Sequence, residues 1–248
     1  MVGLLDGKIA VITGAGSGMA KASVRIFVRE GAKVVAGDIS GAEKDTAAEV
    51  GENVLPIRCD VSKEADVEAM MAAALEEFGR VDAVLNVAGI GRSEALWDTP
   101  MEMYDEITAV NLRGVLHGMK HGIRAIMQSG DGGAVINWSS AGGMNASAGS
   151  GVYGATKAGV ISLTKTGAIE GGPKGIRVNC ICPGFIRSEI MGASGIKSRP
   201  DLVTKATLGR GGEPAEVAEV AAFLASDRAS FVNGAIIPVD GGWTARLA

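Results

Sequence analysis

The chain has 248 residues, of which 47% are hydrophobic and 37 are glycine, with a formal charge of -4. That length gives one large domain with a substantial core. The absence of a dense basic run argues against a nucleic-acid surface. No stretch of 18 apolar residues is present, and residues 1–8 lack the basic and apolar regions of a signal peptide. Cys59, Cys180 and Cys182 are odd in number and form no CxxC pair, which argues against a disulfide framework or a zinc site and fits a reducing cytoplasm.

The first apolar run, residues 9–13, reads as a strand buried on both faces. It leads through Thr13-Gly-Ala-Gly-Ser-Gly-Met-Ala20 into a helix at 19–30. Glycines let a backbone approach a pyrophosphate, and a helix N-terminus offers free N–H groups and a favourable dipole. The strict GxGxxG spacing is absent, because Met19 stands where a third glycine belongs. A second strand, 33–38, ends in Asp38, twenty residues after Gly18. An acid there can accept hydrogen bonds from the adenosine ribose of NAD and would repel the 2′-phosphate of NADP. No arginine or lysine follows directly, since the next residues are Ile39-Ser40-Gly41. The alternative is an aspartate that caps the turn before the next helix.

Helices at 43–49 and 64–78 flank a third strand at 54–60. A fourth strand at 83–86, a long helix at 101–127 and a fifth strand at 134–139 follow. His117 and His121 share one face of that long helix. Without an HExxH glutamate or a third ligand they read as surface or helix-interface residues, and no metal is expected. Strand five ends at Ser139 and Ser140, which alternate faces, so only one can point at a site. Trp138, just before them, reads as core filling. A helix at 152–170 then carries Tyr153 and Lys157, one turn apart on one face. A nearby ammonium favours phenolate over phenol and so lowers the tyrosine pKa towards the working range of a general acid or base. Strands at 177–182 and 235–239 and a helix at 214–225 complete the pattern. Between them, the long irregular stretch 184–212 reads as a substrate-binding lid, and residues 241–248 read as a tail. The alternation describes a single-domain α/β protein of Rossmann type, with a doubly wound parallel sheet of seven strands and helices on both faces.

Taken in order, Thr13-Gly14, Asp60-Val61, Asn86-Val-Ala-Gly89, Asn111, Ser140, Tyr153-x-x-x-Lys157, Pro183-Gly184 and Val239-Asp-Gly-Gly242 span almost the whole chain. In these motifs the chain resembles the compact, single-domain short-chain dehydrogenase/reductases. The resemblance implies a catalytic set of Asn111, Ser140, Tyr153 and Lys157. The thirteen-residue offset to the tyrosine selects Ser140 over Ser139. It implies that Asn111 interrupts its helix, that Lys157 contacts the nicotinamide ribose as well as tuning Tyr153, and that Asp60 contacts the adenine with Val61 beside it. Asn86 and Gly89 would shape the end of strand four, and Pro183-Gly184 would line the nicotinamide, with the Ser188 hydroxyl on its carboxamide. Gly14, Gly16, Ser17, Gly18, Met19, Asp38, Ile39, Ala88 and Ile186 complete the implied cofactor contacts. The chain departs from the family pattern at Ala20 (the last glycine of the turn), at Val87 (a second asparagine) and at Ser188 (a threonine).

These features predict an NAD-dependent oxidoreductase that interconverts a secondary alcohol and a ketone, with Tyr153 as general acid/base and no metal. Gly91-Arg92, residues 142–145, Phe185 and Ile190-Met191 are the expected substrate pocket, mostly apolar and suited to a modest cyclic or aliphatic substrate. A 3-oxoacyl-thioester reductase of fatty-acid metabolism is an alternative that Asp38 disfavours. A non-enzymatic nucleotide sensor would have lost Tyr153 or Lys157, and a sugar-nucleotide epimerase needs a larger C-terminal region. The resemblance also implies a homotetramer, packed through the helices at 101–127 and 152–170 and the segment 235–243.

Overall fold

Runs of Val, Ile and Ala buried at nearly every position need cover on both faces of a sheet. The computed structural model describes residues 2–187 and 205–245. Its strands are β1 (Ile9–Thr13), β2 (Lys33–Asp38), β3 (Val54–Arg58), β4 (Ala83–Asn86), β5 (Gly133–Trp138), β6 (Ile176–Pro183) and β7 (Ile236–Val239). They form one sheet in the order β3-β2-β1-β4-β5-β6-β7, with every neighbouring pair parallel. The chain therefore winds outward from β1 and returns to its other side at β4. That switch point opens a crevice at the C-terminal ends of the strands.

The helices are α1 (Gly18–Arg29), α2 (Glu43–Val50), α3 (Glu64–Phe78), α4 (Met101–Thr108), α5 (Gly114–Ser129), α6 (Ala141–Met144), α7 (Gly151–Gly171) and α8 (Pro214–Ala225). Helices α1 and α8 cover one face, with Val24, Phe27, Val217 and Ala221 packed on Ile12, Ile136 and Trp138. Helices α3, α5 and α7 cover the other, with Met70, Val115 and Val160 on Val11, Val84 and Val135. Alternate residues of each central strand thus feed two separate cores. Ala20, one of the departures from the family pattern, is buried in the first core.

A buried polar chain locks α5 and α7 onto the sheet. Asn86 Nδ2 donates to Asn137 Oδ1 at 2.8 Å, and Asn137 Nδ2 donates to Thr164 Oγ1 at 3.0 Å. Gly118 of α5 lies directly against Asn86, and a Cβ there would fall 1.8 Å from Asn86 Oδ1. Such a network fixes the register of the helices because a partner lost in a buried site costs about 1–3 kcal/mol.

Three local differences from the sequence reading have physical causes. β3 ends at Arg58 rather than residue 60, because Asp60 Oδ1 folds back to accept from Ser62 N (3.0 Å) and Ser62 Oγ (2.7 Å). The expected helix at 101–127 is divided by a π turn, Ala109–Arg113. The four-residue α6 was not expected; it starts where Ser140 Oγ accepts from Gly142 N at 3.0 Å. Within the expected lid, Ser188, Ile190, Met191 and residues 201–204 lie outside the described residues. The two ends of that segment meet. Arg187 N donates to Gly212 O at 2.8 Å and Gly212 N to Phe185 O at 2.9 Å, so the stretch leaves and rejoins the body at one place.

Candidate active site

Strand β1 turns sharply at Gly14, whose φ of 75 suits glycine, and a Cβ there would sit 2.9 Å from Ala88 Cα. Thr13 Oγ1 ties this turn to the end of β4 by accepting from Val87 N (3.1 Å) and Ala88 N (3.2 Å). Gly18, with φ 53, then opens α1. Ser17, the N-cap, makes no side-chain bond to the first turn of α1. Those amides are left for an anionic ligand, as a pyrophosphate cradle requires.

Asp38 stands beside this turn. Its Oδ2 accepts from Gly16 N at 2.9 Å, and Oδ1 accepts from Ser40 N at 2.9 Å and Ser40 Oγ at 2.7 Å. The aspartate thus caps its own turn and also fixes a carboxylate against the glycine loop. An ionised carboxylate has about four acceptor positions, so capacity remains for a ribose hydroxyl. Ile39 is exposed, and with Arg58, Asp60 and Lys63 it lines a shallow hollow of about 480 Å³. The turn, the uncapped helix end and this neighbouring carboxylate together fit a dinucleotide.

A second cleft, of about 460 Å³, lies at the C-terminal ends of β4, β5 and β6. Tyr153 and Lys157 enter it from α7. Ser139 is among the lining residues, and Ser140 stands next to it at the start of α6, with Gly142 between it and the tyrosine. A Cβ on Gly142 would be 3.5 Å from Ser140 Oγ and 3.6 Å from Tyr153 Cε1. Burial pushes the Tyr153 phenol above its ordinary pKa, and the neighbouring Ser140 hydroxyl partly offsets that rise. Ser139 is differently placed: its Oγ donates to Lys157 O at 2.8 Å, anchoring β5 to α7.

Lys157 is buried, and its Nζ donates to Trp138 O at 2.9 Å. Burial lowers its pKa to about 8. The sequence reading had the lysine pulling the tyrosine pKa down. In this structure its Nζ lies 5.9 Å from the Tyr153 ring centroid, and the net tyrosine shift, set by burial, is upward.

Asn111 occupies the π turn and is fully buried. Its Oδ1 accepts from Ile90 N and its Nδ2 donates to Ile90 O, both at 2.8 Å. The same Oδ1 lies 3.2 Å, and Lys157 Nζ 3.4 Å, from the place where a Cβ on Gly89 would be. Asn111 and Lys157 therefore converge beside Gly89, where a side chain would be tightly packed.

Of the other expected contacts, Met19, Gly89, Gly184 and Ile186 line the cleft, and Ala88 sits behind it. Pro183 ends β6 beside Val239. Two expected contacts stand elsewhere. The Asn86 side chain points beneath the sheet to Asn137, and Val61 is buried with its carbonyl accepting from His117 Nδ1 at 3.0 Å. Both support the site rather than line it. His117 and His121 pack at the α3–α5 interface, where His121 Nε2 donates to Glu64 Oε1 at 2.9 Å.

The structure adds residues that the sequence reading missed. Trp243, read as part of a tail, forms a wall of the cleft. Asp240 holds it there by accepting from Gly242 N, Thr244 N and Thr244 Oγ1. The signal was an aspartate followed by two glycines and a threonine, a composition that builds a side-chain-capped turn. Trp138 is core, as expected, but also floors the cleft. Arg92 and Phe185 line the cleft as expected. A larger hollow, about 730 Å³, opens at the N-terminal ends of β1, β4, β5 and β6. Its ionic groups include Lys8 paired with Asp227 and Arg80 paired with Asp82 and Asp131, a structural arrangement.

Comparison with known proteins agrees with this geometry. A family model described as enoyl-(acyl carrier protein) reductase matches residues 14–244. The chain is 37% identical to 3beta-hydroxysteroid dehydrogenase 2 of Eggerthella lenta over 98% of its own length and 96% of that protein. It is 38% identical to the 3-oxoacyl-[acyl-carrier-protein] reductase of Thermotoga maritima over 96% of its length and 98% of that protein. The crystal structure of levodione reductase superimposes with a TM-score of 0.92 at 35% identity, covering 98% of this chain and all of that one. The chain belongs to the short-chain dehydrogenase/reductase family. It is an oxidoreductase of that family, whose fold binds a nicotinamide cofactor.

Proposed function

We propose that the protein is an NAD(H)-dependent dehydrogenase that interconverts a secondary alcohol and a ketone. The observation that carries this reading is the convergence of Tyr153, Ser140 and Lys157 in one cleft joined to a glycine turn. When bound, the nicotinamide accepts or supplies the hydride. Tyr153 moves the proton: as phenol it donates to the ketone oxygen, and as phenolate it takes the proton of the alcohol. Ser140 holds the substrate oxygen beside it. Lys157 binds the nicotinamide ribose and supplies positive charge beneath the tyrosine. Asn111 fixes Ile90 and so the loop that faces the lysine. The apolar walls exclude water around these groups.

Asp38 supports NAD over NADP, because a 2′-phosphate would meet a carboxylate already braced against Gly16. The expected result is a large preference for NAD(H) in kcat/KM, narrowed on the order of tenfold or more by Asp38→Ala as repulsion is removed. Equal use of NADP(H) by the wild type would contradict the assignment. The 3-oxoacyl-thioester alternative is compatible with the Thermotoga maritima relative but is no better supported than the alcohol–ketone reading.

We also propose a homotetramer in a reducing, cytoplasmic setting. Met101, Tyr104 and Leu116 on α4 and α5, and Ile169, Phe223 and Phe231 near β7, are exposed apolar side chains on two separate faces. Of the small residues on α7, Gly154 and Gly159 serve contacts inside the chain, against Gly142 O and Leu112, while Ala155 and Ala158 remain exposed. Light scattering should give four subunits; a persistent monomer at micromolar concentration would refute the assembly.

A further inference from the structure

Among the described residues, the ionic groups that line the active-site cleft carry one sign of charge. Its walls are Val87, Ile90, Phe185, Ile186, Trp138 and Trp243, and its charged residues among those described are Lys157 and Arg92. Lys157 is buried and committed to Trp138 O. Arg92 is different. It lines the cleft yet keeps half of its side chain in solvent.

Its position is set with respect to the reacting groups. Asn111 grips both backbone groups of Ile90, two residues earlier, and a Cβ on Gly89 would lie 3.4 Å from Lys157 Nζ. Three residues separate Gly89 from Arg92, so their Cα atoms lie within about 10 Å. The guanidinium is therefore tethered within reach of a molecule whose oxygen rests on Tyr153. Nη1 donates to Gly91 O at 3.0 Å, and Nη2 to Glu106 Oε1 at 3.2 Å. Glu106 is half exposed, and such a surface pair contributes little. A guanidinium has five N–H donors in a planar fork, and several remain for a carboxylate presented from inside the cleft.

Building on the dehydrogenase reading above, we propose that the substrate is an alicyclic hydroxy or oxo compound carrying one carboxylate. The ring packs between Trp243, Phe185 and Ile186, the reacting oxygen lies at Tyr153 and Ser140, and the carboxylate pairs with Arg92. An ammonium-bearing substrate is disfavoured by these two cations. A second strong anion is disfavoured by the apolar walls.

The test compares 4-oxocyclohexanecarboxylate with its methyl ester, using NADH and following kcat/KM. The wild type should prefer the acid by on the order of 10–100-fold, the scale of a charged hydrogen bond. Arg92→Leu should remove most of that preference, and Arg92→Lys should restore part of it. A separate measurement needs no turnover. Cyclohexanecarboxylate, which has no reacting oxygen, should bind the NADH complex in calorimetry, and Arg92→Leu should abolish that binding. A wild type that uses the ester as well as the acid overturns the proposal, as does an unchanged preference in Arg92→Leu. If NADH binds but neither ketone is reduced, the dehydrogenase reading fails; the calorimetry then still decides the carboxylate site, because no binding, or binding insensitive to Arg92→Leu, overturns it.

Discussion

Tyr153→Phe is expected to lower turnover by a factor on the order of 10²–10⁴, the scale of general acid–base catalysis, with NADH affinity nearly unchanged. The ring stays and with it the packing of α7 against α6, so the loss isolates the hydroxyl. The pH dependence sharpens this. Burial raises the Tyr153 pKa, so in the cofactor-free protein the group is a phenol at neutral pH and is ready to donate. Ketone reduction should therefore hold up to alkaline pH and fall as the phenol ionises. Alcohol oxidation should rise over the same range. Both limbs should vanish in Tyr153→Phe. Ser140→Ala should lower turnover and leave the cofactor bound, whereas Ser139→Ala should act mainly on stability, since its Oγ serves Lys157 O. Near-normal turnover in a folded Tyr153→Phe protein would refute the mechanism.

Much of this arrangement is written in local patterns. The apolar runs fixed all seven strands to within two residues at each end, because strands buried on both faces have few polar residues to blur them. Strand alternation separated Ser139 from Ser140 without coordinates, and the structure places the two hydroxyls on different partners. The π turn at Ala109–Arg113 was legible only through the family resemblance at Asn111. One extra residue in a turn hardly disturbs a periodicity read over 27 residues. Trp243 was missed because the Asp240 turn is legible locally but its docking against the body is not, since that depends on Thr207 Oγ1 donating to Gly241 O between segments distant in the chain. The lysine–tyrosine relation was half legible. Spacing puts both side chains on one face of α7, but the depth to which Lys157 is drawn depends on where β5 ends, and spacing carries no information about that.

Lys157→Met is expected to be at least as damaging to turnover as Tyr153→Phe, on the order of 10²–10⁴, and to weaken cofactor binding as well, since the lysine has two roles. The same substitution gives an independent reading from stability without cofactor. Lys157 has an ordinary pKa of 10.5 and falls to about 8 in the fold, because burial penalises the ammonium. Between those two values the unfolded chain holds a proton that the native chain has released, so wild-type stability rises with pH across that window. Below about pH 8 the full penalty applies, roughly 3 kcal/mol as an upper scale. Lys157→Met removes the penalty but leaves Trp138 O without its donor, a cost of about 1–3 kcal/mol. At pH 7 the variant should therefore be close to the wild type in stability or slightly above it, despite its lost activity. As pH rises from about 8 to 10.5, the balance should move towards the wild type by a few kcal/mol. Urea unfolding of both proteins at pH 7 and pH 10 measures this difference, and groups common to the two proteins cancel. A difference that does not change with pH would mean that Lys157 keeps an ordinary pKa in the fold. The ammonium would then be well solvated, and the buried position assigned to it beneath Tyr153 would be wrong.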